Sequence, residues 1–291
     1  MTYGWHVLIL VGIYLLLASS LQLVAGYAGL FSLSHAAFYG IGAYTTALLG
    51  VSGVSEFPAS VCASFVLGYV VGIAVGWFTV RIRDDYFAIA TFAFNLVVLS
   101  VLNNCVSVTG GPMGVAGIPA PRVFGVEASG LGAMLALVYS VAFLSLLLCY
   151  RIARSPYGRV LRGVREDEVF VLSQGRNVRY YKVTVFATGA AVAAVAGCLY
   201  AFYVKFVDPT SFSVGESVFL LSIVIIGGLG SFWGGVVGAA VGVVVPEALR
   251  FLGLPVAQVG NLREIIYGIA LILMMLARPQ GLVGRFRLDV E

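Results

Sequence analysis

Long uncharged apolar runs are the feature that most constrains this chain. Runs long enough to cross a bilayer, at about 20 residues per crossing, recur along it. They fall at about residues 5–24, 27–49, 59–80, 86–104, 131–150, 183–204 and 263–278. Only 10% of the 291 residues are charged, against about 25% in an average soluble domain. Because the runs are continuous and do not alternate in short segments, they exclude an outer-membrane barrel and predict an all-α polytopic membrane protein.

Two shorter apolar segments lie between Ser217 and Leu252, joined by a glycine-rich turn at 227–235. They either cross the membrane twice or form a re-entrant hairpin, and both arrangements return the chain to the side that it left. Counting them, the sequence predicts about 8–9 transmembrane segments, some of them broken by glycine. No hydrophilic stretch is long enough for a nucleotide-binding domain, so we expect residues 1–291 to form a single transmembrane domain.

Lys and Arg residues in short loops indicate which side of the membrane is cytoplasmic. They form three groups: one within residues 151–182, one between the third and fourth apolar runs, and one near the C-terminus. The groups are Arg151, Arg154, Arg159, Arg162, Arg165, Arg176, Arg179 and Lys182; Arg81 and Arg83; and Arg278, Arg285 and Arg287. All three fall on one face when the passes are counted. That face is expected to be cytoplasmic, with the N-terminus outside.

The stretch from Gly26 to Tyr44 is apolar enough for a bilayer, yet it contains glycines and central polar side chains. Its glycines are Gly26, Gly29, Gly40 and Gly42, and its polar residues are Ser32, Ser34 and His35. Irregular backbone at membrane depth is tolerated only where protein or a watery cavity satisfies its polar groups. Segments broken in this way indicate a translocation path. The alternative interpretation is that small residues merely allow helices to pack closely.

Three polar residues within the apolar runs are also consistent with either a translocation path or helix packing. His35 is as consistent with hydrogen-bonded packing as with a proton or substrate contact. Asn95 and Asn103 share a rough face of one helix, where they either line the path or bridge neighbouring helices.

The glycine-rich pattern near Gly26 occurs again in the second half of the chain. Its residues there are Gly227, Gly228 and Gly230. Repetition of this kind is typical of transporter folds built from internal repeats. In both places we expect the glycines to serve as hinges or as close-packing positions.

The segment 151–182 is the largest polar feature. Pro156 stands where a helix can begin and Gly175 where one can end, so the spacing predicts a single amphipathic helix between them. Its charged residues are Arg159, Arg162, Arg165, Glu166, Asp167 and Glu168. The helix either rests on acidic lipid or docks a cytoplasmic partner. The acidic triplet favours docking, because anionic lipid would repel it.

On the opposite face, the segment 105–130 is rich in turn residues and shows no helix or strand period. The chain contains no Walker sequence, no HExxH, no GxSxG and no row of intramembrane carboxylates. Its four cysteines are isolated and show no CxxC pairing. We therefore expect no catalytic residue and no metal site in this chain.

Several of these motifs resemble one family, the membrane subunits of ABC importers for branched-chain amino acids, of the LivM type. The run Gly26–Tyr44 resembles the family's SLxHAAFxGIGAY signature, and Thr109–Pro119 resembles its outer loop. The cytoplasmic segment resembles the family's coupling segment at Ser155–Arg159 and Arg165–Glu168. Further matches are Pro209–Phe212, Gly227–Ser231 and Arg278–Leu282. Together the motifs cover nearly the whole chain in order.

The resemblance implies a permease domain of the type II importer class in a prokaryotic cytoplasmic membrane. It implies four partners: a sister permease subunit, two cytoplasmic ATPases that hold ATP and Mg²⁺, and an extracytoplasmic binding protein docking on 105–130 and 205–216. This chain would hold no cofactor, and its coupling segment would be 151–182. The substrate would pass beside Ser32, Ser34, His35 and Asn95. The alternatives are a permease for urea or short amides, a self-sufficient secondary carrier, and an intramembrane enzyme or assembly scaffold.

Overall fold

The computed structural model of this chain describes residues 2–81, 84–123, 125–128, 130–250, 265, 267–273, 276 and 281–283. Those residues are predominantly helical. The helices are α1 (Thr2–Leu21), α2 (His35–Val51), α3 (Phe57–Thr79), α4 (Asp84–Asn104), α5 (Val106–Thr109), α6 (Leu131–Arg154), α7 (Pro156–Glu166), α8 (Glu168–Ser173), α9 (Val178–Val204), α10 (Val214–Gly227) and α11 (Phe232–Arg250). The strands are β1 (Val115–Ala116), β2 (Arg122–Val123), β3 (Val126–Glu127) and β4 (Phe206–Val207).

Within the described ranges, five helices are long and apolar enough to cross a membrane. They are Tyr3–Tyr27, Phe57–Thr79, Tyr86–Asn104, Leu131–Arg154 and Val178–Val204. Shorter apolar helices occupy Val214–Gly227 and Phe232–Val245. The chain is therefore a multi-pass membrane protein built mainly from α-helices, as predicted. Of the predicted run 263–278, the structure describes residues 265, 267–273 and 276, all of them helical.

Contacts between helices define two ends of the bundle. At the loop end, β1 pairs antiparallel with β4, and Tyr3 of α1 donates a hydrogen bond to Glu247 of α11. At the basic end, the guanidinium groups of Arg81 and Arg179 lie near the ring of Trp77. The segment between α6 and α9 lies at this basic end too. The predicted basic group within 151–182 and the predicted group that contains Arg81 therefore share one end of the bundle. Arg278, Arg285 and Arg287 lie outside the described residues.

The chain leaves the loop end after β4, reaches the basic end through α10 and returns to the loop end along α11, so segment 217–252 turns back as predicted. Gly228, at a φ of 115°, turns the chain after α10, and α11 carries it back to Glu247. With 14 residues, α10 is about 21 Å long, shorter than the hydrocarbon core of about 30 Å. The segment 281–283 returns to the same turn, where the Leu282 N–H donates to the Ile226 carbonyl.

The first two apolar runs differ from their predicted boundaries. The first helix continues beyond α1 as a fully buried π-helical stretch, Gln22–Tyr27. The run predicted at 27–49 is helical only from His35, because residues 29–34 are non-helical. Gly29 has a φ of 72°, a left-handed conformation that an L side chain rarely adopts. The chain therefore enters the bundle as irregular backbone before α2 begins.

The loop end also contains more regular structure than the sequence predicted. The segment 105–130 includes α5, a 3₁₀ turn at Gly111–Met113 and the strands β1, β2 and β3. Each element is two to four residues long, too short to leave a periodic pattern in the sequence. Tertiary pairing with residues 206–207 and with Ser55 holds them in place.

The centre of the bundle is α9, which packs against α2 with backbones in contact. A Cβ atom at Gly42 would lie 1.8 Å from the Ala194 carbonyl oxygen, and one at Gly197 would lie 1.9 Å from the Tyr39 carbonyl oxygen. These small residues let the two helices approach closely, as in small-xxx-small interfaces. Gly40 likewise makes room for the ring of Phe212. Gly40 and Gly42 are thus close-packing positions.

We predict that Gly42→Ala prevents stable folding, because the added methyl group has no room between α2 and α9. Gly132→Ala in α6 is the matched control, since nothing lies within 4 Å of its Cβ position. There the substitution should raise helix propensity by about 0.5–1 kcal/mol. Thermal denaturation followed by size-exclusion chromatography measures both variants. Equal thermal stability of the two would contradict the close contact.

Candidate functional site

A cluster of neutral polar side chains lies at the start of α2, about midway through the bundle. It brings together Ser32, Ser34 and Asn95, which the sequence indicated, with Thr91 of α4 and Ser217 of α10. Each of these five side chains is 0% exposed. The cluster is about 15 Å from the end of α10 and about 24 Å from the end of α2, at 1.5 Å per residue. It therefore occupies membrane depth.

Hydrogen bonds tie the three elements of this cluster together. The Ser217 hydroxyl accepts from the Ala36 backbone N–H at 3.0 Å and from Asn95 Nδ2 at 3.4 Å. The Thr91 hydroxyl accepts from the Leu33 N–H at 3.1 Å. Since Ala36 lies in the first turn of α2, its N–H is one of those that a helix leaves unpaired. Side chains from α4 and α10 thus satisfy the irregular backbone and the start of α2.

Some buried polar atoms near the cluster keep unused hydrogen-bonding capacity. Among the described residues, Asn95 Oδ1 and both ring nitrogens of His35 have no hydrogen-bond partner. Leaving such a group unsatisfied costs about 1–3 kcal/mol. His35 is 1% exposed, and its Nε2 would lie 3.7 Å from a Cβ at Gly189 of α9. The site therefore offers an acceptor on α4 and an imidazole against α9.

Asn103, also indicated by the sequence, is not part of this cluster. It lies eight residues after Asn95 on α4, and its Nδ2 donates to the Leu99 carbonyl of its own helix at 2.8 Å. Eight residues of helix separate the two amides by about 12 Å. Conversely, sequence reasoning missed Thr91 and Ser217, because an isolated hydroxyl in an apolar helix gives no periodic signal.

The basic end contacts two non-helical segments that lead to the cluster. Arg165 of α7 donates a hydrogen bond to the Gly26 carbonyl. Its side chain also packs on Gly29 and Gly230, since a Cβ at either glycine would lie within 3.0 Å of it. On the neighbouring side, Gln22 Nε2 donates to the carbonyls of Gly228 and Ser231 at 2.9 and 2.8 Å. One arginine therefore contacts the turn after α1 and the turn between α10 and α11.

These two turns connect Arg165 to the polar cluster by short routes. One route runs from Gly29 through the non-helical residues to Ser34 and α2. The other runs up α10 from Gly228 to Ser217. The hydrogen bond from the Ala36 N–H to Ser217 joins the two routes at the cluster. We refer to them below as the α2 arm (residues 29–36) and the α10 arm (residues 217–228).

The polar segment at the basic end is two helices, where the sequence predicted one. Asp167 breaks the helix with an extended backbone, φ −152° and ψ 100°, and its carboxylate accepts from the Phe170 N–H at 2.9 Å. That is N-capping, for which Asp is among the preferred residues. The new helix α8 packs back on α7 through Val164 and Val171. The apolar residues on both sides of Asp167 thus belong to two faces.

The other charged residues of the segment have different environments. Arg159 and Glu166 are exposed. Arg162 Nη2 donates to the Ala153 carbonyl at 3.2 Å, and Glu168 forms an ion pair with Lys182 of α9 at 2.6 Å. Burial lowers the pKa of Arg165, and Glu166 beside it partly offsets that effect. The segment therefore has an inner side fixed to the bundle and an outer side open to solvent.

Tyr157 anchors the start of α7 to α9. Its hydroxyl donates to the Tyr181 carbonyl at 3.0 Å and lies 2.5 Å from the Thr184 hydroxyl. Burial raises the pKa of Tyr157 to about 12, although the hydrogen bond with Thr184 opposes the shift. The phenol therefore stays protonated and able to donate at neutral pH.

Comparison with known proteins identifies the family. A family model described as "Branched-chain amino acid transport system / permease component" matches residues 5–275. The chain belongs to this permease family. It is 35% identical to the high-affinity branched-chain amino acid transport system permease protein LivM of Escherichia coli K12, over 94% of this chain and 68% of that protein. No solved structure matches the chain.

Two further relatives are similar to this permease over nearly its whole length. It is 26% identical to a probable LivM permease of Methanocaldococcus jannaschii, covering 95% of this chain and 92% of the relative. It is 29% identical to the permease LivH of Escherichia coli K12, covering 94% and 91%. The similarity to both LivM and LivH extends over nearly the whole chain. The permease therefore has a translocation role, and the polar cluster and its two arms are the candidate machinery for it.

We predict that Asn95→Ala lowers leucine uptake about tenfold in cells that express this permease with its transport system. The substitution removes a buried amide, which donates a hydrogen bond to Ser217 and whose oxygen is a free acceptor. A loss of about 1.4 kcal/mol of interaction free energy corresponds to a factor of ten in uptake. Uptake of radiolabelled leucine, corrected for the amount of permease in the membrane, is the measurement.

Asn103→Ala is the matched control for this test. It removes the same group from the same helix, at a position that bonds only its own helix among the described residues. We expect uptake within about twofold of the unaltered permease, because this loss is at most a few tenths of a kcal/mol. Equal losses of uptake in the two variants would contradict the assignment of the cluster to the translocation path.

Proposed function

We propose that this chain is the membrane-spanning subunit of an ATP-driven importer that moves branched-chain amino acids into a prokaryotic cell across the cytoplasmic membrane. Its family description and the names of its relatives support the substrate class. ATP and Mg²⁺ would be bound by partner chains, with no bond made or broken here. The loop end would face outward with the N-terminus, and the basic end would face the cytoplasm.

The proposed assembly pairs this chain with a related permease. LivM and LivH are separately named permeases of the same transport system, and this chain resembles both. We assign it the LivM position and expect a LivH-like sister, two ATPases and an extracytoplasmic binding protein. In this chain, α2, α10, α11 and the run near 263–278 would join the five long helices to give about 8–9 glycine-broken spans of a type II importer.

The contact of Arg165 with the two turns that lead into the arms is the observation that carries the coupling mechanism. Because Arg165 lies on α7, a displacement of α7 by the ATPases acts directly on the turns at Gly26–Gly29 and Gly228–Ser231. Each turn leads to the cluster, whose side chains are buried. Moving the arms would separate Ala36 from Ser217 and open the cluster to substrate. Alternating access of this kind needs an element that has two arrangements, and glycine turns can supply it.

The outer side of α8 fits the partner that would move α7. Val169, Phe170 and Leu172 are 74%, 59% and 52% exposed, beside exposed Glu166. This apolar surface lies on a six-residue helix that projects beyond the candidate spans, at the basic end. A patch of exposed apolar side chains with a polar rim is typical of a protein contact. We assign it to the ATPases.

The chemistry of the cluster suits a zwitterion. The start of α2 presents backbone N–H groups and the positive end of a helix dipole, which favour a carboxylate. Asn95 Oδ1 is a free acceptor suited to an ammonium group. The same neutral groups can also bind urea or a short amide, which is the alternative substrate class. Competition of leucine and urea for uptake by the assembled system distinguishes the two.

The two loops proposed to dock the binding protein form one surface. Residues 115–116 pair with residues 206–207, and the Ile118 N–H donates to the Lys205 carbonyl at 3.4 Å. Val207 is fully buried, while Met113 is 84% exposed. A binding protein that contacts this surface would therefore touch both the loop before α6 and the loop that leads into α10. The loop end is connected to the α10 arm in this way.

We predict that Arg165→Gln abolishes uptake while ATP hydrolysis by the assembled complex persists. The substitution keeps a polar side chain, but it shortens that side chain and removes the guanidinium that contacts both turns. Uptake and ATPase activity are measured on the same proteoliposomes. Arg176→Gln makes the same change of charge at an exposed position of the same segment and should leave both activities within about twofold. Unimpaired uptake with Arg165→Gln would eliminate the coupling role.

We also predict that Gly114→Ala weakens activation by the binding protein. At Gly114 a Cβ would lie 2.2 Å from the Val207 carbonyl oxygen, so the loops must separate. Gly117→Ala is matched for backbone strain, since its φ of 79° resembles the 67° of Gly114 but its Cβ would meet nothing within 4 Å. The concentration of binding protein that half-maximally stimulates ATP hydrolysis should rise more in the first variant. Equal shifts would mean that loop pairing does not matter.

A further inference from the structure

A groove on the membrane-facing side of the basic end is separate from the polar cluster and its arms. It lies between the end of α3 and the start of α9 and has a volume of about 440 Å³. Its walls combine aromatic and aliphatic side chains with polar groups, namely Tyr69, Ile73, Trp77, Asn177, Arg179 and Thr184. Because α3 and α9 are both candidate spans, the groove opens at the boundary between hydrocarbon and water.

Two positive charges lie near the Trp77 ring: Arg179 in the wall of the groove and Arg81 beside it. The guanidinium carbon of Arg179 lies 3.5 Å from the centroid of the Trp77 ring, and that of Arg81 lies 5.9 Å away. Arg179 Nη2 donates to the Trp77 carbonyl at 3.0 Å, whereas its Nε has no partner. Among the side chains that the structure describes, which do not include those of Asp84 and Asp85, no carboxylate forms a salt bridge with Arg179. Two like charges near one ring repel each other, so an anion placed between them is stabilised.

An exposed apolar stripe continues from the groove toward the centre of the membrane. Val66, Val70, Ile73 and Trp77 of α3 recur at spacings of four, three and four residues and are 58%, 56%, 38% and 50% exposed. Residues with this spacing lie on one face of a helix. The groove therefore combines a cationic head with an apolar track, at the depth where lipid headgroups meet acyl chains.

We propose that this groove binds an anionic phospholipid. Its phosphate would contact Arg179 and Arg81, and one acyl chain would lie along the α3 stripe. Basic pockets between transmembrane helices bind anionic headgroups in this way, and each basic residue near the surface contributes about 1 kcal/mol. Phosphatidylglycerol is the probe for this chemistry, because it carries one phosphate and a net negative charge.

Quenching of Trp77 fluorescence by brominated lipid tests the proposal. The 291-residue chain contains Trp5, Trp77 and Trp233; with Trp5→Phe and Trp233→Phe, Trp77 is the remaining tryptophan. The chain is placed in phosphatidylcholine vesicles that contain either brominated phosphatidylglycerol or the same fraction of brominated phosphatidylcholine. We expect stronger quenching by the anionic lipid. Equal quenching by the two lipids would overturn the proposal.

Charge variants then identify the site. Arg179→Gln should lower the preference for phosphatidylglycerol about fivefold, which corresponds to about 1 kcal/mol of binding free energy. Arg176→Gln removes an exposed charge nearby, outside the groove, and should keep the preference. Arg179→Lys retains the charge and should keep most of the preference for phosphatidylglycerol. This variant distinguishes the loss of charge from a folding defect in the glutamine variant. Equal losses in the Arg176→Gln and Arg179→Gln variants, or as large a loss with lysine as with glutamine, would overturn the assignment.

Discussion

The carbonyl of Gly26 and its hydrogen bond from Arg165 are the interaction on which the rest of this structure depends. The helix that begins with α1 ends at Tyr27, so the Gly26 carbonyl is one of the last acceptors that a helix leaves unpaired. Within a membrane such a group must be satisfied by protein. A cation at the C-terminal end of a helix is also favoured by the helix dipole. Arg165 meets both requirements from outside the candidate spans.

The same requirement explains why the two arms meet at neutral side chains. Residues 29–34 are non-helical at depth, and hydroxyl groups of Thr91 and Ser217 accept N–H bonds from this segment and the first turn of α2. Charged side chains at that position would be far more costly to bury than hydroxyl and amide groups. Burying the closed cluster therefore costs little free energy. Because Asn95 Oδ1 is unpaired, the cluster can also exchange protein contacts for substrate contacts.

The fold class could be predicted from the sequence because it depends on runs of about 20 apolar residues, which a linear pattern records directly. Ser32, Ser34 and Asn95 were also accessible, since polar residues in an apolar run are conspicuous. The break at Asp167 was not predicted: the apolar residues around it are compatible with one helix, and only the capping bond to Phe170 divides them. Ser217 escaped notice because its role depends on Ala36, a residue 181 positions away.

A disulfide in place of Arg165 tests most directly whether α7 and the α2 arm move as one body. A Cβ at Gly29 would lie 3.4 Å from the Cβ of Arg165, close to the separation of about 3.5–4.5 Å that a disulfide spans. Arg165→Cys and Gly29→Cys would be combined after the four native cysteines are replaced by alanine. Uptake by the assembled importer should be lost in the reduced double variant and should recover when the disulfide forms. Equal uptake in both redox states, or no recovery on oxidation while the Gly29→Cys single variant retains uptake, would contradict the coupling claim.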